Sequence, residues 1–336
     1  MRPPVLEPVR VPPSPALRRW SEAHGFSPEL VARWGAFYGD LPKLLEAMRR
    51  PPGTYLRFNP LRGDPRETHR RLEEKGFRFS DSGVPGTFRV DEAPFSAGAT
   101  EEYLMGRYYL QDPSSALAPL ALEPKPGDVI ADLCAAPGGK TIALAAMAQD
   151  RAAIFAYDAD PARARGLQSN LYRCGVTSAA VYATPAQSAR RLGLTFDRVL
   201  LDAPCTGEGV VQRDPGRRRG QLGEYASCAR EQADLLTVAR DLLRPEGVLV
   251  YSTCTLAPEE NEFQVQHAID ELGFEIEPLP RAVQNVRFSG QALMPGLQRV
   301  IERDLSPAMT KAAHALPHPH GTMGFFLARL RRVGRQ

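Results

Sequence analysis

Asp132-Leu133-Cys134-Ala135-Ala136-Pro137-Gly138-Gly139-Lys140 is the stretch whose reading decides the fold. It closes an apolar run over 128–133 and opens a helical pattern over 139–148, so it reads as the turn from a buried strand into a helix. Glycines there let the backbone approach a ligand, and the helix start offers free N–H groups. Outward from this turn the alternation repeats. Strands are predicted over 153–158, 178–182, 196–202, 247–252 and 274–278, with a closing apolar strand over 323–330. Helices are predicted over 161–174, 227–243 and 258–272, the last with Glu259 and Glu260 in its first turn, where acids suit the helix dipole. Such alternation predicts an α/β fold with a parallel sheet. Residues 282–317 are interrupted by Pro and read as a long loop with partial helix.

The turn is neither Gly-x-Gly-x-x-Gly nor Gly-x-x-x-x-Gly-Lys-Ser/Thr, which removes the dinucleotide and P-loop readings. An acid about 20 residues further on, at the end of the next strand, would bind ribose hydroxyls, and Asp158 stands there. A short glycine turn with a ribose acid suits a nucleoside cofactor without phosphates, such as S-adenosylmethionine.

Two cysteines sit in tight motifs, Asp202-Ala203-Pro204-Cys205-Thr206-Gly207 and Tyr251-Ser252-Thr253-Cys254-Thr255, each directly after an apolar run. Ligands of a parallel sheet bind beyond the carboxyl ends of its strands. Both thiols are therefore expected to face the crevice that receives the glycine turn. A nucleoside-type turn beside two thiols points to chemistry in which a cysteine attacks a carbon centre. The five cysteines are odd in number and include no Cys-x-x-Cys pair, which argues against a disulfide framework or a zinc site. His314, His318 and His320 lack acidic or thiol company in the sequence, and no metal is expected.

The 336 residues suggest three segments: a helical one over 1–50, a small α+β module over 51–110, and the alternating region over 111–336. The first carries two helical patterns, at 16–23 and 27–49. The second interleaves basic and aromatic residues, as RNA-contacting modules do. No long apolar run or signal peptide occurs, so a cytoplasmic protein without a membrane span is expected. Net charge is only +3, yet only five of the 42 basic residues are Lys, and Arg clusters at Arg217-Arg218-Arg219 and at Arg329, Arg331, Arg332 and Arg335. Arg suits phosphate and base contacts, although gene composition alone can enrich it.

These motifs together resemble the Nop/Sun (Fmu) family of S-adenosylmethionine-dependent RNA cytosine-C5 methyltransferases. Arg57-Phe58-Asn59-Pro60-Leu61 resembles the family's Arg-x-Asn-Thr-Leu segment, and Tyr108-Tyr109-Leu110-Gln111-Asp112-Pro113-Ser114-Ser115 the start of its catalytic region. Residues 132–141, 202–209 and 251–261 are similar to its cofactor turn, Pro-Cys motif and Thr-Cys motif, and 324–330 to its closing strand. The resemblance implies a Rossmann-like class I methyltransferase, with a mostly parallel seven-stranded sheet and helices on both faces, behind a small RNA-binding module. It implies that Cys134, Ala135, Ala136, Pro137, Gly138, Gly139 and Lys140 line S-adenosylmethionine, with Asp158 on the ribose and Arg163 nearby. Asp202 would lie between methyl donor and base, Cys254 would be the nucleophile, and Cys205 would assist product release. Lys140 is a candidate source of the positive charge that a thiolate nucleophile needs.

One departure stands out. Many members carry an acid after the third strand that contacts adenine, and this chain has Ala183-Thr184-Pro185-Ala186. Some DNA cytosine-C5 enzymes attack from a Pro-Cys motif, which would favour Cys205, whereas the RNA family uses the Thr-Cys motif. Asn261 is expected to organise the Cys254 loop. The partner is expected to be RNA. Transfer RNA is favoured over ribosomal RNA, because the compact C-terminus resembles short tRNA-directed members. The chain is expected to act as a monomer. The competing reading from another class is an inactive RNA-binding ribosome-assembly factor.

Overall fold

A computed structural model describes residues 8–220 and 222–334, so Arg335 lies outside the described residues. Three helices come first, α1 (Pro15–His24), α2 (Pro28–Phe37) and α3 (Leu41–Arg49). The expected single pattern over 27–49 is thus broken. Asp40 takes left-handed backbone angles, φ 46°, and its carboxylate caps α3 by accepting from the Lys43 N–H. Asp tolerates that conformation and stops α2 from running on.

A four-stranded antiparallel sheet follows, built from β1 (Tyr55–Phe58), β2 (Arg78–Asp81), β3 (Thr87–Glu92) and β4 (Tyr108–Leu110) in the order β2-β3-β1-β4. The helix α4 (Pro65–Glu74) supplies Leu72 to its small core with Leu56, Phe58, Phe77 and Tyr108. After the single turn α5 (Glu101–Leu104), Gly106 lies so close to Arg173 that an added Cβ would meet its carbonyl oxygen at 2.0 Å. Asn59 Nδ2 donates to the Gly106 and Cys174 carbonyls, both at 2.8 Å. These contacts seat the small sheet on the next unit.

That unit contains α6 (Leu117–Leu122), β5 (Val129–Asp132), α7 (Gly139–Met147), β6 (Ala153–Tyr157), α8 (Pro161–Arg173), β7 (Ala179–Tyr182), β8 (Phe196–Asp202), α9 (Leu222–Leu242), β9 (Leu243–Thr253), α10 (Glu262–Leu272) and β10 (Phe274–Glu277). Beyond it come two short hairpins, β11 (Arg287–Phe288) with β12 (Gln291–Ala292) and β14 (Arg299–Val300) with β15 (Arg303–Asp304). The remaining strands are β13 (Met294–Pro295), β16 (Ala313–Ala315) and β17 (Phe325–Arg332). The large sheet runs β13-β16-β17-β9-β8-β5-β6-β7, with β10 on β17. Pairs among β7, β6, β5, β8 and β9 are parallel, and β17 is antiparallel to β9. Strand order reverses at β5, so a crevice opens beyond the carboxyl ends of β5 and β8.

Alternate residues of each strand face opposite layers. Ala131, Val199, Leu201 and Tyr251 pack with Leu235, Leu236 and Phe263 from α9 and α10. Ile130, Leu200 and Val250 pack with Leu117, Ile142 and Leu167 from α6, α7 and α8. Helices therefore cover both faces. The sheet has nine strands rather than the expected seven. The additions, β13 and β16, come from the Pro-interrupted stretch read as loop, because β17 divides its outer edge. Residues Phe325–Leu327 pair with β16 and Arg329–Arg332 with β10.

Helix α10 also starts later than its pattern predicts. Glu259 and Glu260 precede it in a turn, since both side chains are held by other segments.

Candidate active site

The turn after β5 is held by its own backbone. Ala135 N–H donates to the Tyr157 carbonyl at 2.8 Å, and Leu133 N–H to the Leu200 carbonyl at 3.0 Å. Gly138 has φ 106°, a region a side chain would strain, and a Cβ on Gly139 would meet the Tyr109 ring at 2.8 Å. Asp158, buried at the end of β6, accepts from the Ala136 N–H at 3.2 Å and the Asp160 N–H at 3.1 Å. Arg163 ion-pairs with Asp158 at 3.3 Å and donates to the Ala136 carbonyl at 3.1 Å. From the small sheet, Arg57 reaches the same turn and donates to the Gly139 carbonyl at 2.7 Å. Burial lowers the Arg57 pKa to about 10.

Asp202 ends β8. Lys140 Nζ sits 2.6 Å from its Oδ2, and Ser252 Oγ donates to its Oδ1 at 2.8 Å. Register places Asp202 opposite Ser252, which carries the Pro-Cys and Thr-Cys loops side by side. Cys205 Sγ and Cys254 Sγ are 3.3 Å apart. The Cys254 thiol is shifted down, first by its hydrogen bond with Cys205 and then by Lys140 and Arg217, against burial and Asp202. The Cys205 thiol is shifted up by that same bond, by burial and by Glu260. The pair thus favours a thiolate on Cys254 and the proton on Cys205. Burial first, and the carboxylates of Asp132, Asp202 and Asp158 after it, raise Cys134, so that thiol stays protonated.

Two cavities meet at Cys134, Ala136 and Asp202. The larger, of about 700 Å³, runs from Asp158 and Arg163 past Gln187 to Cys205 and Cys254. The smaller, of about 200 Å³, lies between Tyr109, Gln111, Lys140, Arg213 and Met323. Every residue anticipated for the site except Gly138 lines one or both of these joined cavities. The exposed Gln187 lines the larger cavity beside Pro185, where the family's acid is missing.

Several supporting residues were not anticipated. Glu260 Oε2 accepts from the Thr206 N–H at 2.9 Å and Gln232 Nε2 at 3.0 Å, and its Oε1 from Thr206 Oγ1 at 2.5 Å. Tyr251 OH donates to the Glu260 carbonyl. Thr253 Oγ1 bonds Asn261 Oδ1 at 2.5 Å, and Asn261 Nδ2 donates to the Thr255 carbonyl at 3.2 Å, so Asn261 braces the Cys254 loop as expected. Helix α2 touches both cysteine loops. Arg33, 1% exposed, grips the fully buried Glu259 through two bonds of 2.9 and 2.7 Å. Trp34 Nε1 donates to Glu208 Oε2 at 2.8 Å, and Tyr38 OH to the Leu256 carbonyl at 2.8 Å. Glu208 lies three residues past Cys205 and Glu259 five past Cys254, which is the one local signal that could have marked them.

His314 and His320 each have their own partners. His314 Nε2 is 2.6 Å from Glu262 Oε1, both buried, and His320 bonds the Ala292 carbonyl and the Leu316 N–H. No helix among the described residues is long and apolar enough to cross a membrane.

The fold is that of a methyltransferase. A crystal structure described as a methyltransferase homolog from Pyrococcus horikoshii superposes with a TM-score of 0.85 at 34% identity, over 95% of this chain and all of that one. The family model for 16S rRNA methyltransferase RsmB/F matches residues 119–331, and the chain belongs to that family. Among curated relatives, the tRNA (cytosine(49)-C(5))-methyltransferase of Pyrococcus abyssi is 33% identical over 90% of this chain and 96% of its own length. The human 28S rRNA (cytosine(4447)-C(5))-methyltransferase is 33% identical over 87% of this chain. The chain spans only 36% of that human protein's length.

Proposed function

We propose that the chain is an S-adenosylmethionine-dependent RNA cytosine-C5 methyltransferase. The observation that carries this reading is the thiol pair, 3.3 Å apart, in the wall of the larger cavity with Asp202, where the smaller cavity joins it. The 700 Å³ cavity falls within the range of about 300–1,000 Å³ usual for small-molecule sites. Its glycine turn, its carboxylate at Asp158 and its lack of a phosphate-binding loop fit the nucleoside cofactor. Cys134, Ala135, Ala136, Pro137, Gly138, Gly139, Lys140, Asp158, Arg163 and Asp202 would hold it. When bound, its sulfonium supplies the methyl group.

The end of the larger cavity at Asp202, Cys205 and Cys254, reached past Asp202 from the smaller cavity, suits a single base taken out of its stack. Cytosine C5 is a poor nucleophile. Addition of the Cys254 thiolate to C6 makes the ring enamine-like, so that C5 can accept the methyl group. Asp202 is held by Lys140 and Ser252, and each of its oxygens keeps a free lone pair that accepts from the exocyclic amine of cytosine, or from N3 once the ring is protonated there. Once Cys254 is bonded to carbon its charge is gone, and so is the main influence keeping Cys205 protonated. Cys205 then loses its own proton to solvent water, its thiolate or a water it positions takes the C5 proton, and the Cys254 thiolate leaves. Transfer RNA is the first substrate to test, since the archaeal relative named for tRNA aligns over 96% of its length.

Incubation with labelled S-adenosylmethionine and bulk tRNA, ribosomal RNA or duplex DNA tests the reading. Wild-type protein is expected to label RNA and not DNA. Cys254→Ala abolishes labelling, and Cys205→Ala leaves protein covalently attached to RNA on a denaturing gel. A stable adduct from Cys254→Ala would exchange the two roles. RNA binding without labelling of any substrate would favour the inactive assembly factor.

A further inference from the structure

A second groove, of about 640 Å³, has no part in the chemistry above. It lies where the end of α3 with Pro51-Pro52-Gly53, the small sheet, and the turn 317–322 come together. It shares a wall with the smaller catalytic cavity. Gln212 and Thr322 line the groove, while their neighbours Arg213 and Met323 line that cavity. Across the same wall the Gln111 N–H donates to the Tyr55 carbonyl at 3.2 Å, Tyr55 on the groove side and Gln111 on the other. A nucleotide chain whose cytosine reaches the thiols through the smaller cavity, past Asp202 where the two cavities meet, has its flanking residues within reach of this groove.

The charges fit a polyanion. Lys43, Arg50 and Arg89 line the groove against Glu46 and Asp81. Arg50 is 71% and Arg89 57% exposed, and each faces an exposed carboxylate, Glu46 and Asp91 respectively. Such pairs are worth about 0–1 kcal/mol, so a phosphate displaces the carboxylate at little cost. The ring of Tyr55 rests against Gly53, where a Cβ would come within 3.0 Å of it, and offers an aromatic surface in the groove. The alternative way out, a cavity of about 260 Å³ beside Thr206, sets Glu208, Asp214 and Glu224 against Arg217 and Arg219. Cations outnumber carboxylates in the groove and are outnumbered there.

We infer that this groove holds the single-stranded nucleotides flanking the target cytosine, with Arg50 and Arg89 on their phosphates and a base against Tyr55. The inference rests on the RNA-methylation reading and adds to it the path of the strand. Binding of a short fluorescein-labelled RNA strand with one central cytosine, titrated over a range of salt, tests it. Each phosphate contact on a single strand contributes about 0.7 to the slope of log K against log salt. The double variant Arg50→Ala/Arg89→Ala is expected to lower that slope by about 1.4. Its KM for RNA should rise, with KM for S-adenosylmethionine, thermal midpoint and turnover at saturating RNA unchanged. An unchanged slope overturns the inference. Wild-type methyl transfer, measured in parallel, reports on the parent reading by itself: transfer intact with an unchanged slope removes the groove and leaves the chemistry standing.

Discussion

At the scale of single residues, Lys140 does two things from one position. Its ammonium holds Asp202 at 2.6 Å and also favours the thiolate of Cys254. Removing the cation disfavours the charged thiolate, so the Cys254 pKa must rise. Lys140→Met is expected to move the acid limb of the adduct-formation rate up by about one pH unit. A limb that stays in place would confine Lys140 to orienting Asp202. Lys140, Asp202, Cys205 and Cys254 were legible because each ends a predicted strand or lies in the turn that follows one, and a parallel sheet brings those ends together. Glu260 was not. In sequence it reads as a favourable acid in the first turn of a helix, and only the fold aims it at Thr206. Gln232 was hidden in the same way, as one polar residue of a long helix.

Among elements, α2 matters most to the site. It joins Glu208 behind one cysteine and Glu259 behind the other through adjacent residues, Trp34 and Arg33. Trp34→Phe keeps an aromatic ring, though a smaller one, and deletes the N–H from which Glu208 Oε2 accepts. Glu208 Oε1 has no hydrogen-bond partner among the described residues, so the carboxylate would lose a bond it needs in a buried place. A loss of about 1–3 kcal/mol in stability follows, measurable by denaturant unfolding, together with lower turnover at unchanged KM for S-adenosylmethionine. Arg33→Met is expected to cost more, about 3–5 kcal/mol, because it strands the Glu259 charge. Periodicity shows that a helix forms near residue 30, but not what it packs against. The strands of the parallel core were legible from apolar runs bounded by turns. The additions β13 and β16 were not, because two- and three-residue strands carry no period and exist only through pairing with β17.

For the molecule as a whole, two buried carboxyls make stability depend on pH. Burial raises Asp132 to about 7 and Glu260 to about 7, above the usual carboxylate range. The folded state therefore binds more protons than the unfolded chain between about pH 4 and 7. The stabilising contribution is fully present below the unfolded pKa values and is lost as pH rises through 7. The thermal midpoint is expected to fall between pH 5 and 8, and Glu260→Gln, which keeps an acceptor for Thr206, should flatten that decline by on the order of 2 kcal/mol. A midpoint indifferent to pH in both proteins would contradict it. The pairing of Arg33 with Glu259 bridges 226 positions of chain. During synthesis at about 5–20 residues per second, the nascent N-terminal helices wait roughly 10–45 s for their partner to emerge from the ribosome. Until then the Cys254 loop lacks its brace, so the two thiols cannot be held side by side before residue 259 has been made.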